Sequence, residues 1–184
     1  DAEVDTLNLN VRAVTSPWPK VTLEGELRYN EFDNKTPVNA YDYVVTDTVP
    51  AAVTVSSTAY DYERRDIRLR GEYRVKAGMK LFAGFDTDGF ERKRQDRHRT
   101  TTNNLWFRLR TRLGGNADLD VDLFAEDRDG SSYTTVDNPA APENPLMRKY
   151  NMADRQREGV RLHGSVYGDE RTDFGWELEY SEDS

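Results

Sequence analysis

The sequence predicts an all-β fold, an antiparallel meander of about eight strands. Three observations lead there. Apolar residues recur with a period of two rather than 3.6, which is the spacing of a strand with one apolar face. The segments between the periodic runs are alternately short and long. At the two tightest connections, folding the chain back on itself sets apolar against apolar and Arg against Asp.

The strands follow in order. Leu7, Leu9, Val11 and Ala13 alternate with Asn8, Asn10 and Arg12, giving a strand near 5–14. Val21, Leu23, Gly25, Leu27 and Tyr29 alternate with Thr22, Glu24, Glu26 and Arg28, giving one near 21–32. Ile67, Leu69, Gly71, Tyr73 and Val75 alternate with Arg68, Arg70, Glu72 and Arg74 near 63–76, and Met79 to Phe85 carries the pattern into 79–92. The same alternation marks 101–113, 117–128, 158–167 and 174–181. No amphipathic helix is legible; only Pro145 to Gln156 could hold a helical turn. The whole of 1–184 reads as a single β segment.

Registers follow from the turns. With Gly114-Gly115-Asn116 as a three-residue turn, Leu113 faces Ala117, Leu109 faces Val121 and Phe107 faces Leu123. On the other side Arg112 meets Asp118, Arg110 meets Asp120 and Arg108 meets Asp122. Opposite charges across a ladder contribute roughly 0.2–1 kcal/mol each, and a one-residue slip would mix the two faces. With Lys76-Ala77-Gly78 as the turn, Val75 faces Met79, Tyr73 faces Leu81, Leu69 faces Phe85 and Arg68 faces Asp86.

Composition bounds the function. The chain has 184 residues with 26 Lys+Arg and 34 Asp+Glu, a net charge of −8. Its pI near 4.9 argues against nucleic acid as a partner. It has no Cys and two His (His98 and His163), so it has no thiolate metal site and no thioether attachment for haem. No apolar run reaches the roughly 20 residues of a membrane helix. Asp1-Ala2-Glu3 is no basic leader, so the chain is expected to be cytoplasmic, or a mature or excised piece of an exported protein. There is no Ser–His–Asp or Cys–His arrangement and no phosphate-binding glycine loop, so an enzyme is not expected.

Two architectures use such alternation. A soluble sandwich buries the apolar face against a second sheet. A transmembrane barrel turns it to lipid and lines an aqueous lumen with the polar face. Barrel strands show about 10 residues of dyad alternation, with short turns at one end and longer loops at the other. The apolar positions here carry no charge, while the opposite face is largely Arg, Asp and Glu. Pro-rich stretches such as 49–53 and 138–142 fall in the long connections.

Residues Asn144-Pro145-Leu146-Met147-Arg148-Lys149-Tyr150-Asn151-Met152-Ala153-Asp154-Arg155, followed by a strand, resemble the MtrB/PioB family of decahaem-associated outer-membrane β-barrel proteins. Arg148, Lys149, Tyr150, Asn151, Ala153, Asp154 and Arg155 carry the specific part of the resemblance. Weaker echoes lie at Thr36 to Asn39, at Tyr60 to Tyr62 and at Ala125 to Tyr133.

The resemblance implies part or all of a transmembrane β-barrel in the bacterial outer membrane. It implies a sheath that holds a periplasmic multihaem c-type cytochrome and in some cases meets an extracellular one, so that electrons cross the bilayer. Haem would belong to the partner, with no cofactor in this chain. Two alternatives stand beside it: a soluble or extracellular β-sandwich binding module, and a simple diffusion porin. Family members are larger, many carry an N-terminal cysteine motif, and the terminal aromatic of a last barrel strand is missing at Glu179 to Ser184. The chain is therefore expected to be an internal or truncated portion.

In the barrel reading Arg68, Arg70, Arg108, Arg110, Arg112, Asp118, Asp120 and Asp122 face the lumen, paired and hydrated. Leu69, Leu81, Leu109 and Val121 face lipid. Connections 15–20, 76–78, 114–116 and 168–173 would be periplasmic; 33–62, 93–100 and 129–157 would be extracellular. Asp86-Thr87-Asp88-Gly89 and Asp127-Arg128-Asp129-Gly130 lack calcium-loop spacing and read as Asp- and Gly-rich strand ends or turns. The basic stretch from Arg92 to Arg99 reads as a solvated loop tip. Trp176 fits an interfacial belt, whereas Trp106 falls on the polar side.

Overall fold

A computed structural model describes residues 3–46, 49–57, 59–93, 95, 97–133, 151–168 and 172–184. They form ten strands and, among the described residues, no helix. The strands are β1 (Val4–Trp18), β2 (Val21–Asn34), β3 (Ala40–Thr46), β4 (Val49–Ser56), β5 (Tyr62–Lys76), β6 (Met79–Arg92), β7 (Arg99–Leu113), β8 (Ala117–Gly130), β9 (Arg155–Tyr167) and β10 (Asp173–Asp183). Eight of them make one antiparallel sheet in the order β1-β2-β5-β6-β7-β8-β9-β10. The meander expected from the alternation is present.

The β7–β8 register matches the charge arithmetic at every pair, from Leu113↔Ala117 to Arg108↔Asp122. Gly114, at φ 66°, supplies the left-handed residue of the turn. The β5–β6 register matches at Tyr73↔Leu81, Leu69↔Phe85 and Arg68↔Asp86 but not at the turn. There Lys76, not Val75, opposes Met79, because a bulge between Arg74 and Lys76 tightens the connection to Ala77 and Gly78, with Gly78 at φ 75°.

The long connection after β2 is not plain loop. It holds the separate β3–β4 hairpin, whose ladder is twice interrupted by register shifts. Pro50 and the Ala-Ala step erase the alternation that would have announced it, and proline fits such an edge position. The suggested helical turn falls mostly on residues 145–150, outside the described residues, and Gln156 belongs to β9.

The sheet is a single layer. Among the described residues only Ala59, Phe82 and Met152 are buried apolar side chains. Leu7, Leu69, Leu123 and Leu178 are each more than half exposed, although all lie on the apolar face. An ordinary soluble monomer rarely exposes an apolar patch of more than several hundred Å². A sandwich would cover this face with a second sheet; among the described residues the other sheet, β3–β4, does not pack against it. The face therefore needs an apolar solvent.

The edge of that apolar face crosses the ladder obliquely. The last apolar residues before the long-loop end are Leu7, Tyr29, Ile67, Phe85, Leu105, Ala125, Val160 and Tyr180. If the edge ran along the hydrogen bonds, these would be partners. Instead Leu7 opposes Glu31, Tyr29 opposes Arg65, Ile67 opposes Thr87 and Ala125 opposes Glu158, each a step of two residues; the other three junctions are level. All steps run the same way. Eight residues of rise, about 26 Å, over seven strand spacings, about 34 Å, incline the strands by about 38°. Strands of transmembrane barrels tilt by roughly 35–45°. Nothing about a water-facing sheet calls for this slant; a flat hydrocarbon boundary does.

The strands also outrun that boundary. Beyond it the outward positions turn charged, with Glu31 and Asp33 on β2, Glu63 and Arg65 on β5, and Asp127 and Asp129 on β8. At the edge itself Tyr29 donates its hydroxyl to Glu31 at 2.9 Å and Tyr180 donates to Glu182 at 2.7 Å. Each tyrosine thus has its ring on the apolar face and its hydroxyl on a charged group, as interfacial aromatics do. Trp18, Phe174 and Trp176 occupy the same face at the tight-turn end, Trp18 as partner of Val21 and Trp176 lying over Gly164.

Candidate functional site: the polar face of the sheet

Pleating puts the alternate residues of every strand on the opposite face, and register aligns them into rows. On β7 and β8 the rows are ion pairs. Arg108 grips Asp122 with Nε and Nη2 at 2.6 and 2.7 Å. Arg110 grips Asp120 at 2.9 and 2.7 Å. Arg112 donates to Asp118 at 3.1 Å, and Tyr167 on β9 donates to the same carboxylate at 3.1 Å. The pattern extends to Arg161 with Glu179 at 2.8 Å, Arg12 with Glu24 at 2.9 Å and Arg64 with Asp88 at 2.6 Å. Solvent-exposed pairs are worth roughly 0–1 kcal/mol each. Their effect is to keep the face polar and electrically mixed, and to hold side chains in place.

The charged residues expected to share one face do share it. They are not all paired. Arg68 opposes both Glu26 and Asp86, yet Glu26 accepts from Arg28 at 2.7 Å and Asp86 accepts from the Trp106 indole at 2.8 Å. Arg70 lies over the Phe82 ring at 4.8 Å instead of on a carboxylate. The expected pairing fails because rivals within reach hold the acids first. Trp106 is on the polar face, as its phase predicts, flat against Gly84; a Cβ there would sit 2.3 Å from the indole ring.

The Arg92–Arg99 stretch departs from a solvated tip in one residue. Arg97 is 2% exposed. Its guanidinium donates to the Ser131 carbonyl at 2.7 Å, to the Met152 carbonyl and to Asp154. It also lies 5.2 Å from the Tyr133 ring centroid. Asp154 is one of the residues that carry the family resemblance, so this arginine fastens that segment to the ends of β7 and β8. Sequence alone gives no signal for it, since its partners lie 34 to 57 residues away. Of the other residues of that segment, Arg155 pairs with Glu126 across β8–β9 and the Asn151 carbonyl accepts from Arg128 at 3.4 Å. Ala153 is half-buried beside them. Arg148, Lys149 and Tyr150 lie outside the described residues.

Asp86, Asp88, Asp127 and Asp129 stand on strands rather than in a calcium loop. Among the described residues no three His, Cys, Asp or Glu side chains converge on a metal position.

This face belongs to a known protein family. The family model described as "Putative outer membrane beta-barrel porin, MtrB/PioB" matches residues 1–184. The chain belongs to the MtrB/PioB family. Outer membrane protein MtrB of Shewanella baltica (strain OS185) is 34% identical over 177 residues, covering 95% of this chain and 25% of that protein. The chain thus spans about a quarter of the length of the curated relative it matches. The sheet is thus sequence of an outer-membrane β-barrel family. The soluble sandwich reading falls on that membership and on the single layer.

Proposed function

We propose that this sheet is wall of a barrel whose polar face encloses a multihaem c-type cytochrome, so that electrons cross the outer membrane through the guest. The wall is then non-enzymatic and carries no cofactor. The observation that carries the reading is the polar face itself: a broad, ion-paired surface suited to a folded protein, on a chain with no cysteine to anchor haem covalently. Family membership supports it. Purification of the full-length protein in detergent from its native outer membrane tests it. A haem-staining protein should co-purify in fixed ratio; a folded barrel without one would favour a diffusion porin.

The reading includes a sidedness. The tight connections at Pro19–Lys20, Ala77–Gly78 and 114–116 all lie at one end of the meander and are assigned to the periplasm. The β3–β4 hairpin and the Arg97 junction are assigned to the exterior. A cysteine at Val38, itself exposed, should react with an impermeant thiol reagent on intact cells, and one at Ala77 only after permeabilisation. Equal labelling, or the reverse order, would overturn the assignment.

A further inference from the structure

The outward face is charged differently at its two ends. Past the oblique edge it is mostly acidic, with Glu31, Glu63 and Glu91 side by side in one row. At the tight-turn end it carries two lysines instead, each where the chain leaves regular strand geometry. Lys20 takes the left-handed position of the Pro19–Lys20 turn, at φ 70°, where glycine or asparagine is the usual occupant. Lys76 would fall on the polar face if β5 alternated to its end; the bulge after Arg74 makes it the partner of Met79 and so turns it outward. The Lys20 carbonyl accepts from the Arg74 amide at 2.8 Å, so the two turns are neighbours. Both lysines are exposed, and among the described residues neither meets a carboxylate.

Beside these lysines lies an apolar hollow of about 620 Å³. Gly71 and Ala83, partners across β5 and β6, form its floor, and Tyr73, Leu81, Phe107 and Leu123 stand around them. Its strands, β2 and β5 to β8, are each paired on both sides, so the hollow does not belong to a sheet edge. Gly71 stands five residues from Lys76, about 16 Å along the strand. At an inclination of about 38° that is about 13 Å of depth, close to one leaflet's half of a hydrocarbon core about 30 Å thick. We propose that Lys20, Lys76 and this hollow bind one anionic phospholipid, its phosphate on the two lysines and an acyl chain laid over Gly71 and Ala83. Charge complementarity selects the headgroup, because ammonium groups without a carboxylate favour a lipid of net negative charge over a zwitterionic one. The site needs the apolar face in lipid and does not depend on what the barrel encloses.

Native mass spectrometry of the full-length protein in detergent, titrated with phosphatidylglycerol or with phosphatidylcholine, tests this. Wild type should retain one phosphatidylglycerol more tightly than phosphatidylcholine. Lys20→Asn with Lys76→Gln removes both charges and keeps a residue suited to the left-handed turn. It should bind phosphatidylglycerol about thirtyfold more weakly, the effect of two headgroup cations, and no better than phosphatidylcholine. Lys35→Gln with Arg65→Gln removes as much charge at the long-loop end and should bind as wild type does. Gly71→Val fills the hollow, and its Cβ meets Leu23 at an ordinary 3.6 Å. It should weaken binding with both lysines in place, and it carries the test should the lysine variant not fold. Heat-modifiable migration on gels verifies that each barrel is folded. Equal retention of the two lipids by wild type, an unchanged lysine or Gly71 variant, or equal loss at the long-loop end overturns the site while the sheath reading stands. A protein that stays folded and monodisperse without detergent sinks the lipid-facing reading and the site with it.

Discussion

Leu109→Arg should cost the assembled protein about 2–4 kcal/mol, the cost of an arginine facing lipid near mid-membrane. Leu109 sits at the centre of the apolar run from Leu105 to Leu113 on β7, between Leu81 and Val121. Asn103→Arg lies on the same strand and the same face, three outward positions nearer the long-loop end and past the oblique edge. It should cost about 0–1 kcal/mol, the interfacial figure. Urea titration of the folded protein in lipid vesicles compares the two. Equal costs would mean that the edge drawn from Leu7 to Tyr180 is not where the hydrocarbon stops.

The second large effect is expected at Arg97. Arg97→Ala leaves the Ser131 and Met152 carbonyls and the Asp154 carboxylate without their shared donor. Hydrogen bonds to a charged group are worth about 1.5–3 kcal/mol each; the exposed Asp154 carboxylate can turn to water, so the loss falls mainly on the two carbonyls. Much of this is local, because the cluster lies at the strand ends. Ser131 and Arg99 are tied there by their own hydrogen bonds, at 3.0 and 3.1 Å. Hydrogen exchange at their amides should quicken by about a hundredfold, the ratio that roughly 3 kcal/mol of local opening implies. The amides of Leu109 and Val121 should keep their protection. Uniform acceleration across the sheet would show that Arg97 supports the global fold instead.

The residues differ in how far they could be read without coordinates. The β7–β8 hairpin was legible in full, because Gly114 fixes the turn and three Arg–Asp rows punish any slip. At Val75 the same reasoning failed by one residue, since a bulge leaves no mark in an alternating run. The β3–β4 hairpin was hidden because proline and small residues carry no period. Face assignment was legible for Arg68, but its partner was not: alternation says which acids are opposite, not which rival donors reach them first. Arg97 lay beyond reach, because its environment is assembled from the β8 end and the family-like segment. The slant of the apolar edge was latent in the sequence, but only the strand pairing turned it into an angle.

The slant has a consequence for how the wall yields. Each strand lives in two solvents, one part bathed by hydrocarbon and the remainder by water on both sides. In hydrocarbon an opened backbone hydrogen bond has no substitute, so the embedded part has no low-cost way to fray. Past Tyr29, Ile67 and Ala125 water can replace each broken bond, and opening becomes a matter of ordinary local stability. The outer rim can therefore breathe, or be reshaped by whatever meets it, while the ladder below stays closed. Because the edge is oblique, this boundary between a yielding rim and an unyielding wall falls at a different residue on each side of four of the seven strand junctions.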